Sequence, residues 1–175
     1  METIAFYREP IIKTYGFVER TGLCLVSIDL PFHQLYDWGD SISGLPSQFG
    51  ASLVLMSARP AFGNVFRIHM LLDESQTGPL LMNTPQPFFT AIRSRLRIER
   101  EVELLYFQGP HYGDRYGIAS AALTALSVYD VPVLVFTCTG ASVFLVLTKG
   151  KVPMAREALG QAFMTPESEK RGESK

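Results

Sequence analysis

The chain has 175 residues, 47% of them hydrophobic and 19% charged, with 16 lysines and arginines against 17 acidic residues. A chain this long buries a core without disulfide or metal support, and a net charge of −1 gives no field to draw in nucleic acid or an anionic membrane. No apolar run reaches the roughly 18 residues of a membrane helix, nor does the start read as a secretory leader. Cys24 and Cys138 sit among apolar or β-branched neighbours, so both are expected as buried, reduced thiols in a cytoplasmic protein.

In chain order, Pro10 to Val18 reads as a strand expected to complete the sheet of one unit. Leu23 to Leu30 is a second strand, and Phe32, Leu35, Tyr36, Gly39 and Ile42 then recur at three and four residues, as on one helix face. Trp38 is expected to pack at least partly against the sheet or a dimer partner. Ser52–Ala58 and Asn64–Leu72 form a hairpin with a longer loop at Arg59–Gly63. A surface loop over Asp73–Pro87 and a short helix over Phe88–Leu96 follow. The arginine-rich stretch Arg93–Arg100 reads as a solvated helix end, its cations favoured by the negative end of the dipole.

The second half repeats the order. Glu101–Phe107 is a strand, and Ile118, Ala121, Ala122, Ala125, Leu126 and Tyr129 mark a helix. Pro132–Thr139 and Ser142–Leu147 form a hairpin turned at Gly140-Ala141. Pro153 opens a last helix bearing Ala155, Leu159, Ala162 and Phe163 on one face. The polar tail Thr165–Lys175 is expected to be disordered. Strand, helix, strand, strand, helix is thus spelled twice, which predicts two α+β units with antiparallel sheets and helices on one face.

Between the fifth strand and its helix lies Gln108-Gly109-Pro110-His111-Tyr112-Gly113-Asp114-Arg115-Tyr116-Gly117. Its glycines are spaced four and four, so it is not a dinucleotide fingerprint, and no phosphate-binding P-loop occurs elsewhere. Two uses remain. The glycines could let the backbone turn so that N–H groups at a helix start approach a small anion such as an amino-acid carboxylate, or Asp114 could cap that helix and occupy those donors. No nucleophile elbow, zinc-protease motif or C-x-x-C pair is present. His33, His69 and His111 are too dispersed for a metal site, so neither a catalytic group nor a cofactor is expected. The signature of RNA-binding domains is likewise absent.

From Gly109 to Phe163 the chain resembles an ACT domain, specifically the last ACT domain of an aspartokinase. The resemblance rests on Tyr116-Gly117, the alanine-rich helix, the strand ending Thr137-Cys138-Thr139-Gly140, its apolar return strand, and a final helix running to Ala162-Phe163. Tyr15 to Pro31 (YGFVERTGLCLVSIDLP) is similar to the entry into the first ACT domain of those enzymes. Residues 11–164 are covered, with 11–97 as the first unit (its strand 11–18 completing the sheet of the second), 100–164 as the second, and no kinase domain. This implies tandem ferredoxin-like βαββαβ units that form a homodimer and bind a free amino acid such as lysine or threonine as an allosteric, regulatory signal, with no catalysis. The implied contact residues are Asp29, Pro31, Phe32, His33 and Gln34 in the first unit. In the second they are His111, Tyr112, Asp114, Arg115, Tyr116, Gly117, Thr137 and Thr139. Pro31-Phe32-His33 departs from the family's adjacent proline and glycine. The competing expectation is an ACT-like interaction protein in a permanent complex with a partner such as an enzyme, its 109–117 loop packed by Tyr112 and Tyr116.

Overall fold

The computed structural model describes residues 11–43, 53–75 and 95–166. The elements are β1 (Ile12–Lys13), β2 (Gly16–Pro31), a 3-10 turn at Phe32–Gln34 leading into α1 (Leu35–Ser43), β3 (Leu53–Ala61), β4 (Val65–Asp73) and β5 (Arg97–Gln108). After a second 3-10 turn at Tyr112–Asp114 come α2 (Ile118–Val128), β6 (Val133–Thr139), β7 (Ser142–Thr148), α3 (Val152–Gly160) and β8 (Phe163–Met164). Most of the expected 73–87 loop, the 88–96 helix and the polar tail lie outside the described residues. The chain divides between Thr21 and Gly22 and again between Val102 and Glu103. The segment between those cuts is the inserted unit; the parts before and after it make the split unit. Both cuts fall inside strands, β2 and β5.

In the inserted unit the strand order is β3-β4-β2-β5. β4 pairs antiparallel with both neighbours, setting Ile28 against Ile68 and Ile68 against Ala58. Side chains alternate across a strand, so Cys24, Val26, Ile28 and Leu30 share one face with Ile68, Met70 and Leu72. Those residues form a core with Trp38 of α1. Each such burial contributes about 1.5–3 kcal/mol, and the core holds α1 on the sheet. Ser27, Asp29, Arg67 and His69 occupy the alternate positions on the opposite face.

In the split unit the order is β2-β5-β7-β6, and β1 pairs in parallel with β8. Leu105, Phe107, Val143, Leu145 and Leu147 of the sheet pack with Ile118, Ala122 and Leu126 of α2, with Ala155, Ala158 and Leu159 of α3, and with Phe163. Alanines on both helices let their backbones approach the sheet closely. Pro153 stands in the first turn of α3, where its missing N–H costs nothing, and Glu103 accepts the Val152 N–H at 3.3 Å. The start of the chain is tied into this unit by Thr14 N–H to Met164 O and Tyr15 N–H to Gln108 O, both 2.8 Å. Phe17 meets Phe107 edge to face at 5.3 Å.

Several local expectations change. The strand read over 10–18 is two pieces, β1 at Ile12–Lys13 and the opening of β2 at Gly16, with Thr14 and Tyr15 between them and Gly16 at φ +139° turning the chain into β2. The loop read at Arg59–Gly63 shrinks to Phe62-Gly63-Asn64, as Arg59 and Pro60 extend β3. Proline is tolerated there because β3 ends the strand order. Arg97–Arg100 is not a helix end; it opens β5. Ala162 and Phe163 lie beyond α3, with Phe163 in β8. Cys138 is exposed near the end of β6, whereas Cys24 is buried.

Trp38 is 3% exposed and Tyr36, on the same helix, 83%. Trp38→Ala is expected to cost about 3–5 kcal/mol, and Tyr36→Ala under about 0.5 kcal/mol, as read from urea midpoints at unchanged m-value.

Candidate functional site

Each glycine of the 109–117 loop has a separate role. A β-carbon on Gly109 would collide with the Tyr112 ring and the Lys13 carbonyl, so only glycine lets that ring enter. Tyr112 is 6% exposed, perpendicular to Phe107 with centroids 6.2 Å apart and tilted against Phe163 at 6.4 Å. His111 takes the left-handed conformation at φ 59° to reverse the chain, and its carbonyl accepts the Asp114 N–H at 3.1 Å. At Gly113 a β-carbon would stand 3.1 Å from Gly140 O. The loop therefore lies against the β6–β7 turn, bringing it to the Thr139 end of the strand that also carries Thr137. Gly117, at φ +91° with open space where a side chain would project, is the N-cap of α2.

No side chain caps α2. The reading in which Asp114 occupies the helix-start donors is thereby corrected: Asp114 is exposed and ends the 3-10 turn three residues earlier. Tyr116 is 89% exposed, and His111 is exposed as well. Arg115 donates to Ile11 O at 3.1 Å, fastening the loop to the start of the chain. Of the two tyrosines expected to fill the loop, one is buried and the other faces solvent. The residues from His111 to Gly117 and the Thr139 end of β6 share one neighbourhood, floored by Tyr112.

The Tyr112 hydroxyl is buried with no hydrogen-bond partner. The Thr14 side chain lies beside it, yet the Thr14 hydroxyl donates to Gln108 O at 2.6 Å. Burial pushes the phenol up to about 12, with the Thr14 contact and Arg115 pulling it down in part.

In the inserted unit one of the implied residues, Asp29, belongs to an ion pair. Arg67 donates to both oxygens of Asp29, Nε at 2.7 Å and Nη2 at 2.8 Å, in the bidentate geometry that makes such pairs strong. Those hydrogen bonds hold the Asp29 carboxyl below its ordinary value against the opposing effect of burial, with further help from the charges on Arg67, Arg97 and His69. Pro31 ends β2, and Phe32 lies over Phe66 with centroids 4.6 Å apart. His33 is exposed, while Gln34 accepts from Arg95 at 2.9 Å. The bulky Phe32 thus packs on the sheet end.

Sequence reasoning did not anticipate a cleft of about 380 Å³ in the split unit, lined by Tyr15, Phe17, Arg156, Phe163 and Thr165 among others. It joins the β1–β2 break to the end of α3, positions over 130 residues apart in sequence, and no motif marks it. Arg156 in its wall donates to Glu19 at 3.1 Å. Among the described residues no group of three or more His, Cys, Asp or Glu could hold a metal.

No family model matches the sequence, and neither does any curated protein. The fold, by contrast, is well represented. The regulatory subunit of aspartate kinase from Thermus flavus matches with a TM-score of 0.72 at 10% identity, over 86% of this chain and 98% of that one. The fold is that of an aspartate kinase regulatory domain. Aspartate kinase from Clostridium acetobutylicum matches at 0.66 and 15% identity, over 88% of this chain. Aspartokinase III from E. coli, solved in complex with lysine and aspartate in the T-state, matches at 0.57 and 12% identity, over 90% of this chain. The chain spans 36% and 35% of those two enzymes. The tandem ferredoxin-like, ACT-type fold is therefore present.

Gly109→Ala is expected to lose about 1–3 kcal/mol or more by overpacking, whereas Gly39→Ala, on open helix surface, should gain about 1 kcal/mol; thermal denaturation of both checks this. Because the phenol of Tyr112 is raised from 10 to about 12, the folded state keeps its full stability below pH 10. It should then lose about 2–3 kcal/mol as pH rises through 12. Tyr112→Phe, which removes an unsatisfied buried hydroxyl, should abolish that loss without destabilising the protein at pH 7, as urea titrations across this range will show.

Proposed function

We propose that the chain is a non-catalytic regulatory protein that binds a free amino acid at the 109–117 loop and changes the state of a partner, which we take to be a second copy, an enzyme, or both. The observation that carries this reading is a glycine turn whose helix start has no side-chain cap, beside open space at Gly117 and the threonine-bearing end of β6, on the fold of a regulatory subunit. Uncapped N–H groups at a helix start favour a carboxylate. Asp114, exposed on the same loop, supplies a counter-charge for an amino group, and Thr137 and Thr139 offer hydroxyls. Lysine and threonine are the first ligands to try, lysine because it is bound in the E. coli aspartokinase III structure of the same fold.

Regulation follows if the ligand prefers one of two arrangements of an assembly, since coupling needs only differential affinity. A free amino-acid pool fits a cytoplasmic setting, and no described helix is long and apolar enough to cross a membrane. The reading as a permanent interaction protein draws on one observation, the burial of Tyr112, which fills the interior of its own loop. Ligand space is thereby confined to the Tyr116 and Gly117 side.

Calorimetry of the whole chain against the twenty amino acids tests the proposal. Saturable binding by at least one is expected. Tyr116→Ala and His111→Ala should each weaken it by about tenfold, near 1.4 kcal/mol, and Tyr116→Ala should leave the melting of the free protein little changed because that side chain is 89% exposed. No heat and no thermal shift at millimolar concentration with any amino acid would reject the sensing role and leave the permanent complex.

A further inference from the structure

The inserted unit carries a row of charges that its fold does not require. Strand register sets Arg59 of β3 directly opposite Arg67 of β4, and Arg67 directly opposite Asp29 of β2. On the next strand of the order, β5, Arg97 places Nη2 at 3.7 Å from Asp29 Oδ2. Three guanidiniums thus line up with a single carboxylate, on the sheet face opposite the α1 core. The neighbouring row on that face is polar too, with Ser57 opposite His69 and His69 opposite Ser27, and Ser27 Oγ is 2.8 Å from His69 Nδ1.

A structural role accounts for one arginine only. Arg67 and Asp29 satisfy each other with two short hydrogen bonds. Arg59 adds a like charge directly across from Arg67, an arrangement that costs stability in an antiparallel pair. Among the described residues Arg59 has no carboxylate partner. Arg97 is 74% exposed and touches Asp29 only at the limit of an ion pair. The titratable groups of this row and its neighbour are Arg59, Arg67, His69, Asp29 and Arg97; further along the same strands lie Glu99, Arg100, Glu101, Glu103 and Tyr106 on β5, Asp73 at the end of β4, and Glu19, Arg20 and Cys24 on β2. Burial lowers the His69 pKa first, and the charges of Arg59 and Arg67 lower it further, so at neutral pH His69 adds hydrogen-bonding capacity and no charge.

We infer that this row is a binding site for a small multivalent oxyanion, a di- or tricarboxylate or a phosphate-bearing metabolite, held between Arg59 and Arg67 with Arg97, Ser57 and His69 at its margin. Arginine forks match both carboxylate and phosphate oxygens, and such an anion relieves the Arg59–Arg67 repulsion. The site involves Asp29 but gives this unit a different ligand class from the 109–117 loop. It stands or falls independently of amino-acid binding there.

His69 is the built-in reporter. An anion beside Arg59 and Arg67 must raise its pKa, and NMR of the His69 ring in the whole chain reads that directly, with sodium chloride at matched ionic strength as reference. Inorganic phosphate, succinate and citrate are the probes. A saturable rise with phosphate alone identifies a phosphate-bearing ligand, a rise with the carboxylates alone a carboxylate ligand, and a rise with all a general oxyanion site; each supports the inference. The double variant Arg59→Ala/Arg97→Ala, altered only at exposed side chains, should weaken binding at least tenfold, whereas Asp29→Asn, which removes the competing carboxylate, should tighten it several-fold. If the His69 titration responds to none of the probes at millimolar concentration, or to chloride equally, the inference is overturned. Binding seen only with an oligonucleotide overturns the small-ligand assignment.

Discussion

The insertion of the Tyr112 ring against Gly109 organises the 109–117 loop, to which we assign ligand binding. A side chain at 109 would exclude the ring, and without the ring the Phe107 and Phe163 contacts would lose their cover. Once Tyr112 is inside, the chain must reverse at His111, pass over Gly140 at Gly113 and emerge at Gly117, where α2 starts. His111, Tyr116 and the helix-start N–H groups are then presented outward by a loop whose shape is set from within. On the proposed reading such a site would be assembled before any ligand arrives, so that binding need not meet the cost of ordering it.

The same tyrosine explains why the start of the chain belongs with its second half. Gly109 is also hemmed in by the Lys13 carbonyl, Thr14 donates to Gln108 O, and Arg115 holds Ile11 O. Residues 11–17 thereby brace one side of the loop while Gly140 braces the other. Division of the chain inside β2 and β5, with no linker at either point, follows from this threading: each of the two strands supplies residues to both units. Read outward from those strands, the order β2, β4, β3 in the inserted unit is matched by β5, β7, β6 in the split unit.

What the sequence disclosed depended on whether the signal was local. Short apolar runs made Leu23–Leu30 and Ser142–Leu147 legible as strands, and alanine-rich 3.6-residue periodicity marked α2. The extension of β5 back to Arg97 was hidden because arginines at spacings of two and three mimic a helix face, and only pairing with a neighbour turns them into a strand. Cys138 sits in an apolar run, yet it lies near the end of a hairpin strand, so its neighbours did not predict its exposure. Tyr112 and Tyr116 are equivalent as loop aromatics; the choice of which goes inside is made by Gly109, through a contact no periodicity reports. The row from Arg59 through Arg67 and Asp29 to Arg97 was invisible for a stronger reason. Its members come from four strands and meet only through register.

The preformed loop is the claim on which the functional account rests, and the ligand-free protein in solution tests it. Nuclear Overhauser contacts from the Tyr112 ring to the Gly109 α-protons and to the Phe163 ring, together with slow exchange of the Asp114 amide, should be present with no amino acid added. Their absence until ligand is supplied, or a Tyr112 ring found in solvent, would contradict a loop fixed from within.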